Sequence, residues 1–177
     1  ADVEVNNYYM GHCMNVFKPT EVKMMLSAFS AMETVHMAAY AHLLDTVGLP
    51  ETEYSEFLKI KAMRDKYDYL QGCKSDTLHN IAKTVAICSA FTEGVQLFAS
   101  FAILLNFPRH NKMKGMGQII TWSVRDETLH CSSMIRLFRE FIKENPEIWT
   151  SRLQNEIYEA CRIAVAQEDA MIDLSFE

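Results

Sequence analysis

Apolar residues recur at spacings of three and four along most of this chain. No segment alternates with the period of two that a half-buried strand requires. The β-branched runs are short and fall inside helical patterns. The pattern predicts an all-α fold, a bundle of long helices. The six glycines and four prolines mark its joints. A first helical stretch ends at "VFKPTE" (16–21), where Pro19 suits the start of the next helix and Thr20 is a candidate cap. The second, long helix ends at "VGLPE" (47–51). A charged amphipathic helix is expected over about 51–71, ended by Gly72. Ser75 or Asp76 is the candidate cap of a helix from about 77 to 106, which is apolar nearly all round and therefore central. "NFPRHNKMKGMG" (106–117) reads as the longest loop. Further helices are expected over about 117–144 and, after the break at "ENPE", to about 174. With no linker, low-complexity tract or solenoid repeat, residues 1–177 read as a single domain.

Composition narrows the class. The 177 residues suffice for one sizeable core, since a chain near 150 residues buries about 68–70% of its unfolded surface. The chain is 49% apolar and 23% charged, which places it among globular proteins. A net charge of −6 offers no basic footprint, so no nucleic-acid partner is expected. The five cysteines are odd in number and form no CxxC pair, which points to reduced thiols and a cytoplasmic location. The most apolar stretch, "LFASFAILLNF" (97–107), is short of the roughly 20 residues that span a bilayer, and no membrane partner is expected. The chain starts at Ala1 and stops at "IDLSFE", which reads as a segment of something longer.

Chemistry enters with "AMETVHMAAYAH" (31–42). On a helix, Glu33, His36 and Tyr40 stand at i, i+3 and i+7 and share one face. A carboxylate and an imidazole one turn apart can grip a metal ion. A satisfied core histidine beside a surface glutamate fits that stretch as well. The pattern recurs in "SVRDETLHCSS" (123–133), with Glu127 and His130. With six histidines in the chain, chance alone gives roughly half of one Glu-x-x-His pair, so the repeat is only suggestive. Glu93 sharpens it, because it lies inside the most apolar helix. There a glutamate must be paired, hydrogen-bonded or metal-bound, unless it points outward with Thr92 and Gln96.

Glu-x-x-His, a lone Glu and a second Glu-x-x-His on three long helices match the dinuclear carboxylate pattern of ferritin-like bundles. That pattern requires one more carboxylate. Asp2 is the candidate, in register with Val5, Tyr9 and Cys13; a plain N-terminal cap is its alternative. Carboxylates are hard donors suited to iron or manganese, imidazoles add one nitrogen to each ion, and four acids balance two divalent ions. Structural zinc sites favour cysteine instead. "DTLH" (76–79) has similar spacing but reads as a helix start, and the eleven methionines read as core filling.

"FKPTEVKMMLSAFSAMETVHMAAYAHLLDTVG", "AFTEGVQLFASFA" and "WSVRDETLH" resemble the small, radical-generating (beta) subunit of class I ribonucleotide reductase. The resemblance implies two metal ions per chain, with Fe/Fe expected first and Mn/Mn or Mn/Fe as alternatives. It implies Asp2 and His36 on the first ion, Glu93 and His130 on the second, and Glu33 and Glu127 bridging. Tyr40 matches the tyrosine that becomes a stable radical after the metals activate O2. Asp126 matches the acid that hydrogen-bonds the first metal's histidine and joins the electron-transfer route. Leu97 and Phe101 are candidates for the apolar shell of the radical, and Ser123 is polar where an apolar wall is expected. The implied partners are a large (alpha) subunit, which reduces the ribonucleotide, and a second copy in a homodimer. The upstream tryptophan and the C-terminal docking tail of the family fall outside these residues, and Trp122 and Trp149 stand elsewhere. Another ferritin-like dimetal oxidase or iron-binding protein is the alternative, and a metal-free helical interaction module is a third reading.

Overall fold

The computed structural model describes residues 2–50, 52–56 and 59–176. Every regular element among them is helical, as the periodicity predicts, and they contain no strand. The chain divides into two compact units, Ala1–Lys59 and Ile60–Glu177.

In the first unit, α1 (Asp2–Asn7) runs into a π-helical segment (Tyr8–Cys13) and closes with α2 (Met14–Val16). This composite packs on α3 (Thr20–Val47). Val5, Tyr8, Tyr9 and Cys13 are buried, as are Leu26 and Phe29 of α3, and the Tyr9 and Phe29 rings lie 6.0 Å apart. The Ser30 hydroxyl donates to the Asn6 side-chain oxygen, pinning the same two helices. α3 contains neither Gly nor Pro. It starts after Pro19, which occupies the cap position itself. Thr20 is therefore the first helical residue and does not cap as expected. At the other end Gly48 has φ +83°, and its N–H reaches the Leu44 and Asp45 carbonyls at 3.0 and 3.1 Å. Only glycine takes that left-handed turn without strain.

The amphipathic helix expected over 51–71 is divided. α4 (Glu53–Glu56) is one turn, and α5 (Lys61–Gln71) restarts after Ile60, whose backbone is extended. Residues 51, 57 and 58 lie outside the described residues. In the second unit, α6 (Leu78–Ala86) continues through a second π-helical segment (Ile87–Gln96) and after Leu97 into α7 (Phe98–Arg109). Neither Ser75 nor Asp76 caps α6. Thr77 has the extended cap conformation, and its side chain accepts from the Asn80 N–H at 3.1 Å. Asp76 accepts instead from the Asn80 side chain at 2.6 Å.

The long loop expected at 106–117 shrinks to 110–113, because α7 carries Pro108 in its last turn and α8 begins at Lys114 (Lys114–Glu144). A Cβ at Gly117 would sit 2.4 Å from the Pro108 ring, so these two residues let α7 and α8 meet across a tight connection. Tertiary contact outweighs the loop propensity of both. A 3-10 turn (Pro146–Ile148) follows, then α9 (Ser151–Phe176). The second π segment packs against both α8 and α9.

Residues 78–109 form one run of 32 residues, long and apolar enough by length and composition to cross a bilayer. Residues 97–107 alone are not. The run also buries Thr84, Ser89, Thr92, Glu93 and Gln96, polar positions that suit helices packed on several sides. All five cysteines are thiols, and Cys13 and Cys88 are buried.

Glu156 on α9 gathers three nitrogen-bearing side chains: His79 at 3.1 Å, Lys83 at 3.2 Å and Arg152 at 2.9 Å. The His79 hydrogen bond first, then the Arg152 hydrogen bond and Lys83, hold its carboxyl at about 2, against an ordinary 4.5. A folded-state value below the unfolded one stabilises above pH 4.5, and that contribution disappears as pH falls toward 2. Glu156→Gln should therefore be less stable than the parent chain at neutral pH. The gap should close between pH 4.5 and 2 when urea midpoints are followed against pH. Thr77→Ala should cost about 1 kcal/mol through the lost cap, and Gly117→Ala should be destabilising through the clash with Pro108. The same urea titrations at neutral pH check both.

Candidate metal centre

The first unit brings three predicted residues together. Glu33 and His36 project one turn apart from α3 and are buried at 1% and 5% exposure. Their Oε2 and Nδ1 atoms lie 3.6 Å apart. Asp2, half-buried on α1, offers a carboxylate oxygen, and one ligand atom from each of the three residues lies within 4.8 Å of the others. The packing of α1 on α3 produces this meeting. The helical register that places Asp2 on the face of Val5, Tyr9 and Cys13 carries it there.

The second unit holds a matching set. Glu93 lies in the second π segment, and Glu127 and His130 lie one turn apart on α8. His130 Nδ1 is 3.5 Å from Glu93 Oε1 and 3.6 Å from Glu127 Oε2. None of the three is more than 2% exposed. Thr92 and Gln96 are buried beside Glu93, so the outward-pointing alternative for that glutamate fails.

The π segment is what periodicity alone did not reveal. A π turn widens the helix to i→i+5 bonding and recurs at functional sites. Here hydroxyls serve the local carbonyls: Thr92 donates to Ile87 O, five residues back, at 3.3 Å, and Ser89 donates to Val85 O at 2.5 Å. Gly94 permits the close approach. A Cβ there would stand 2.9 Å from Cys131 Sγ, the residue after His130. The sequence signal was the run of small and hydroxylated residues around one glutamate, "CSAFTEG" (88–94). Burial, together with the Glu93 and Glu127 charges, pushes the Cys131 thiol up, so it is a poor nucleophile.

Each set contains two carboxylates and one imidazole. Taking a carboxylate out of water costs several kcal/mol per ion unless an opposite charge compensates. Two acids gathered with one imidazole form a donor set whose charge a divalent cation would balance. Hard oxygen donors with one nitrogen suit iron or manganese. The donor chemistry therefore fits a metal in each unit.

The remaining predicted residues are placed less uniformly. Tyr40 lies one turn beyond His36 on α3 and is half-buried. Asp126 is half-buried, with Arg125 Nε 3.1 Å from its carboxylate. Phe101 and Ser123 are buried and Leu97 is half-buried, whereas Trp122 is 53% exposed and Trp149 43%.

The family model for "Ribonucleotide reductase, small chain" matches residues 1–177. The chain belongs to this family. It is 43% identical to the probable ribonucleoside-diphosphate reductase small subunit 376L of Invertebrate iridescent virus 6, over 100% of this chain and 54% of the relative. Identity to the corresponding 048L protein of Invertebrate iridescent virus 3 is 44%, over 99% of this chain and 51% of that one. The ribonucleoside-diphosphate reductase subunit beta of Chlamydia pneumoniae is 30% identical, over 92% of this chain and 51% of its own length. The chain thus spans about half the length of the curated relatives it matches. Membership agrees with the helical fold, which is of the ferritin-like, all-α kind, and with metal binding through a buried carboxylate and histidine cluster.

Binding to the folded state alone stabilises by about 2.7 kcal/mol at a hundredfold excess over Kd. Adding Mn(II) should therefore raise the melting temperature of the chain. Glu127→Ala should abolish most of that rise. Glu140→Ala, an exposed carboxylate on the same helix, should keep it. Equal shifts in the two variants, read by scanning calorimetry, would remove Glu127 from the ligand set.

Proposed function

We propose that this chain is the metal-binding core of a ribonucleoside-diphosphate reductase small subunit. The observation that carries the reading is the pair of buried sets, each of two carboxylates and one histidine, in a chain matched along its whole length by that family. On this reading the two units work as one domain holding one dinuclear centre. Asp2 and His36 would hold the first ion, Glu93 and His130 the second, with Glu33 and Glu127 shared between them. Two ions, Fe/Fe first, with Mn/Mn or Mn/Fe fitting the same donors, would supply the oxidising equivalents by activating O2.

The chain's own residues do the rest. Glu33 and Glu127 sit on the long helices α3 and α8, whose rigidity fixes donor directions before any ion arrives. Tyr40 is one turn past His36, close enough in sequence for its phenol to lie beside that ligand. It would give one electron to the O2-derived oxidant and its hydroxyl proton to the water formed from it, and would hold the resulting radical. Its half-buried position limits contact with outside reductants. Asp126 accepts a hydrogen bond from a metal-ligating imidazole, which orients the ring and gives the electron a polar route. Buried Phe101 supplies apolar cover, with Leu97 beside it in sequence.

The radical serves a separate large subunit, where the ribonucleotide is reduced. The working form is a cytoplasmic homodimer that needs O2 and neither nucleic acid nor membrane. Tyr40→Phe removes one oxygen and should leave fold and metal content unchanged. After loading with Fe(II) and exposure to O2, the parent chain should give the electron paramagnetic resonance signal of a tyrosyl radical, and Tyr40→Phe should give none. A signal with the same hyperfine pattern in the variant would move the radical to another tyrosine.

A further inference from the structure

Lys66 of α5 carries its ammonium into the interior of the second unit, where it pairs with Glu168 of α9; the two side chains are 14% and 6% exposed. An ammonium has three N–H donors, and three acceptors surround this one. They are the Glu168 carboxylate, the Gln96 carbonyl at 3.3 Å and the Met171 sulfur at 3.9 Å. Ser100 of α7 donates to the same sulfur at 3.4 Å. Gln96 is tied a second time, because its side-chain N–H donates to Gln167 at 2.7 Å. Gln96 is the last residue of the second π segment, one turn beyond Glu93. Just past it the α spacing resumes, with the Phe101 N–H on the Leu97 carbonyl at 3.0 Å.

We propose that Lys66, seated by Glu168, is a positioning residue for Glu93: its ammonium fixes where the π segment ends and so sets the direction of the Glu93 carboxylate. The inference rests on the metal-binding reading above, in which Glu93 holds an ion. A π turn closes on the fifth residue and an α turn on the fourth. Moving the junction by one residue therefore rotates Glu93 relative to His130, whose Nδ1 lies 3.5 Å from Glu93 Oε1. A binding constellation tolerates a displacement of only about 0.5 Å, so a shift of the junction reaches the metal.

Stability alone does not account for this pair. A buried ion pair contributes, as a rule, no more than apolar residues of the same volume. What the polar groups add is direction. Apolar contact is non-directional and lets helices slide, whereas an N–H donor meets a carbonyl only over a narrow range of distance and angle. The carbonyl that Lys66 meets is the one at the junction. Glu168 keeps the ammonium there, since a lysine stem is flexible and otherwise carries its charge toward water.

The test removes both charges from the whole chain at once, in Lys66→Met/Glu168→Met, so that neither is left buried alone. Helicity and melting temperature should stay near those of the parent. Hydrogen exchange of the metal-free chain, read by mass spectrometry, should become several-fold faster over residues 93–97. Mn(II) binding, followed through the electron paramagnetic resonance signal of the free ion, should weaken several-fold. Glu156→Gln lowers stability through His79, Lys83 and Arg152 instead, and it should change neither readout. If the double variant fails to fold, Gln167→Met breaks the other tie on Gln96 and should move both readouts in the same direction. Parental exchange or parental affinity in the variant tested, or equal changes in Glu156→Gln, overturns the proposal. A parent chain that takes up no Mn(II) would bring down the metal-binding reading itself, and the exchange comparison would still decide whether Lys66 fixes the segment.

Discussion

Negative charge carried into apolar helix interiors is the constraint from which the rest of this structure follows. Glu33, Glu93 and Glu127 are each at most 2% exposed, and each sits on or beside an otherwise apolar helical face. An isolated buried carboxylate is among the most costly groups a fold can hold. It survives only if the fold brings a compensating group to it, and here each unit brings a histidine and a second acid close enough to share an ion. The α1–α3 packing, the π segment and the glycine beneath Cys131 are all arrangements that make these acids meet.

The second unit also shows the opposite solution to the same problem. Glu168 on α9 is 5% exposed and pairs with Lys66 of α5. Burial pushes its carboxyl up, while the Lys66 ammonium works against that shift. Around this pair a polar network forms: Lys66 also donates to the Gln96 carbonyl at 3.3 Å, and the Gln96 side chain donates to Gln167 at 2.7 Å. Gln167 in turn reaches the Asp65 carbonyl at 3.3 Å. Gln96 is the last residue of the π segment. The segment that presents Glu93 is therefore anchored at its far end to two other helices, which limits the freedom of the glutamate.

The sequence revealed the helices and the spacing of the acids, because both depend on local period. Breaks at Gly48, Gly72 and Pro146 were legible for the same reason. Other features were settled by contacts between distant residues. Gly115 and Gly117 read as loop, yet they lie in α8, because Gly117 is the space that Pro108 needs. Both π segments were hidden, since one extra residue per turn barely alters an apolar pattern that already surrounds the helix. Lys66 and Glu168 stand 102 positions apart, and nothing in either helix alone shows that they meet.

The two buried acid systems differ in what they leave to be supplied. Lys66 supplies a counter-charge to Glu168 from within the chain, and that pair ties α5 to α9 whether or not an ion is present. The Asp2, Glu33 and His36 set and the Glu93, Glu127 and His130 set gather acids with a histidine, donor types that can bind a cation. Replacing one of those acids by lysine would put a second positive group where a cation would bind, and it would remove the affinity. The packing of long helices and the polar network at Gln96 hold these acids in place. Within the second unit an acid paired with a lysine thus stands apart from acids gathered with a histidine.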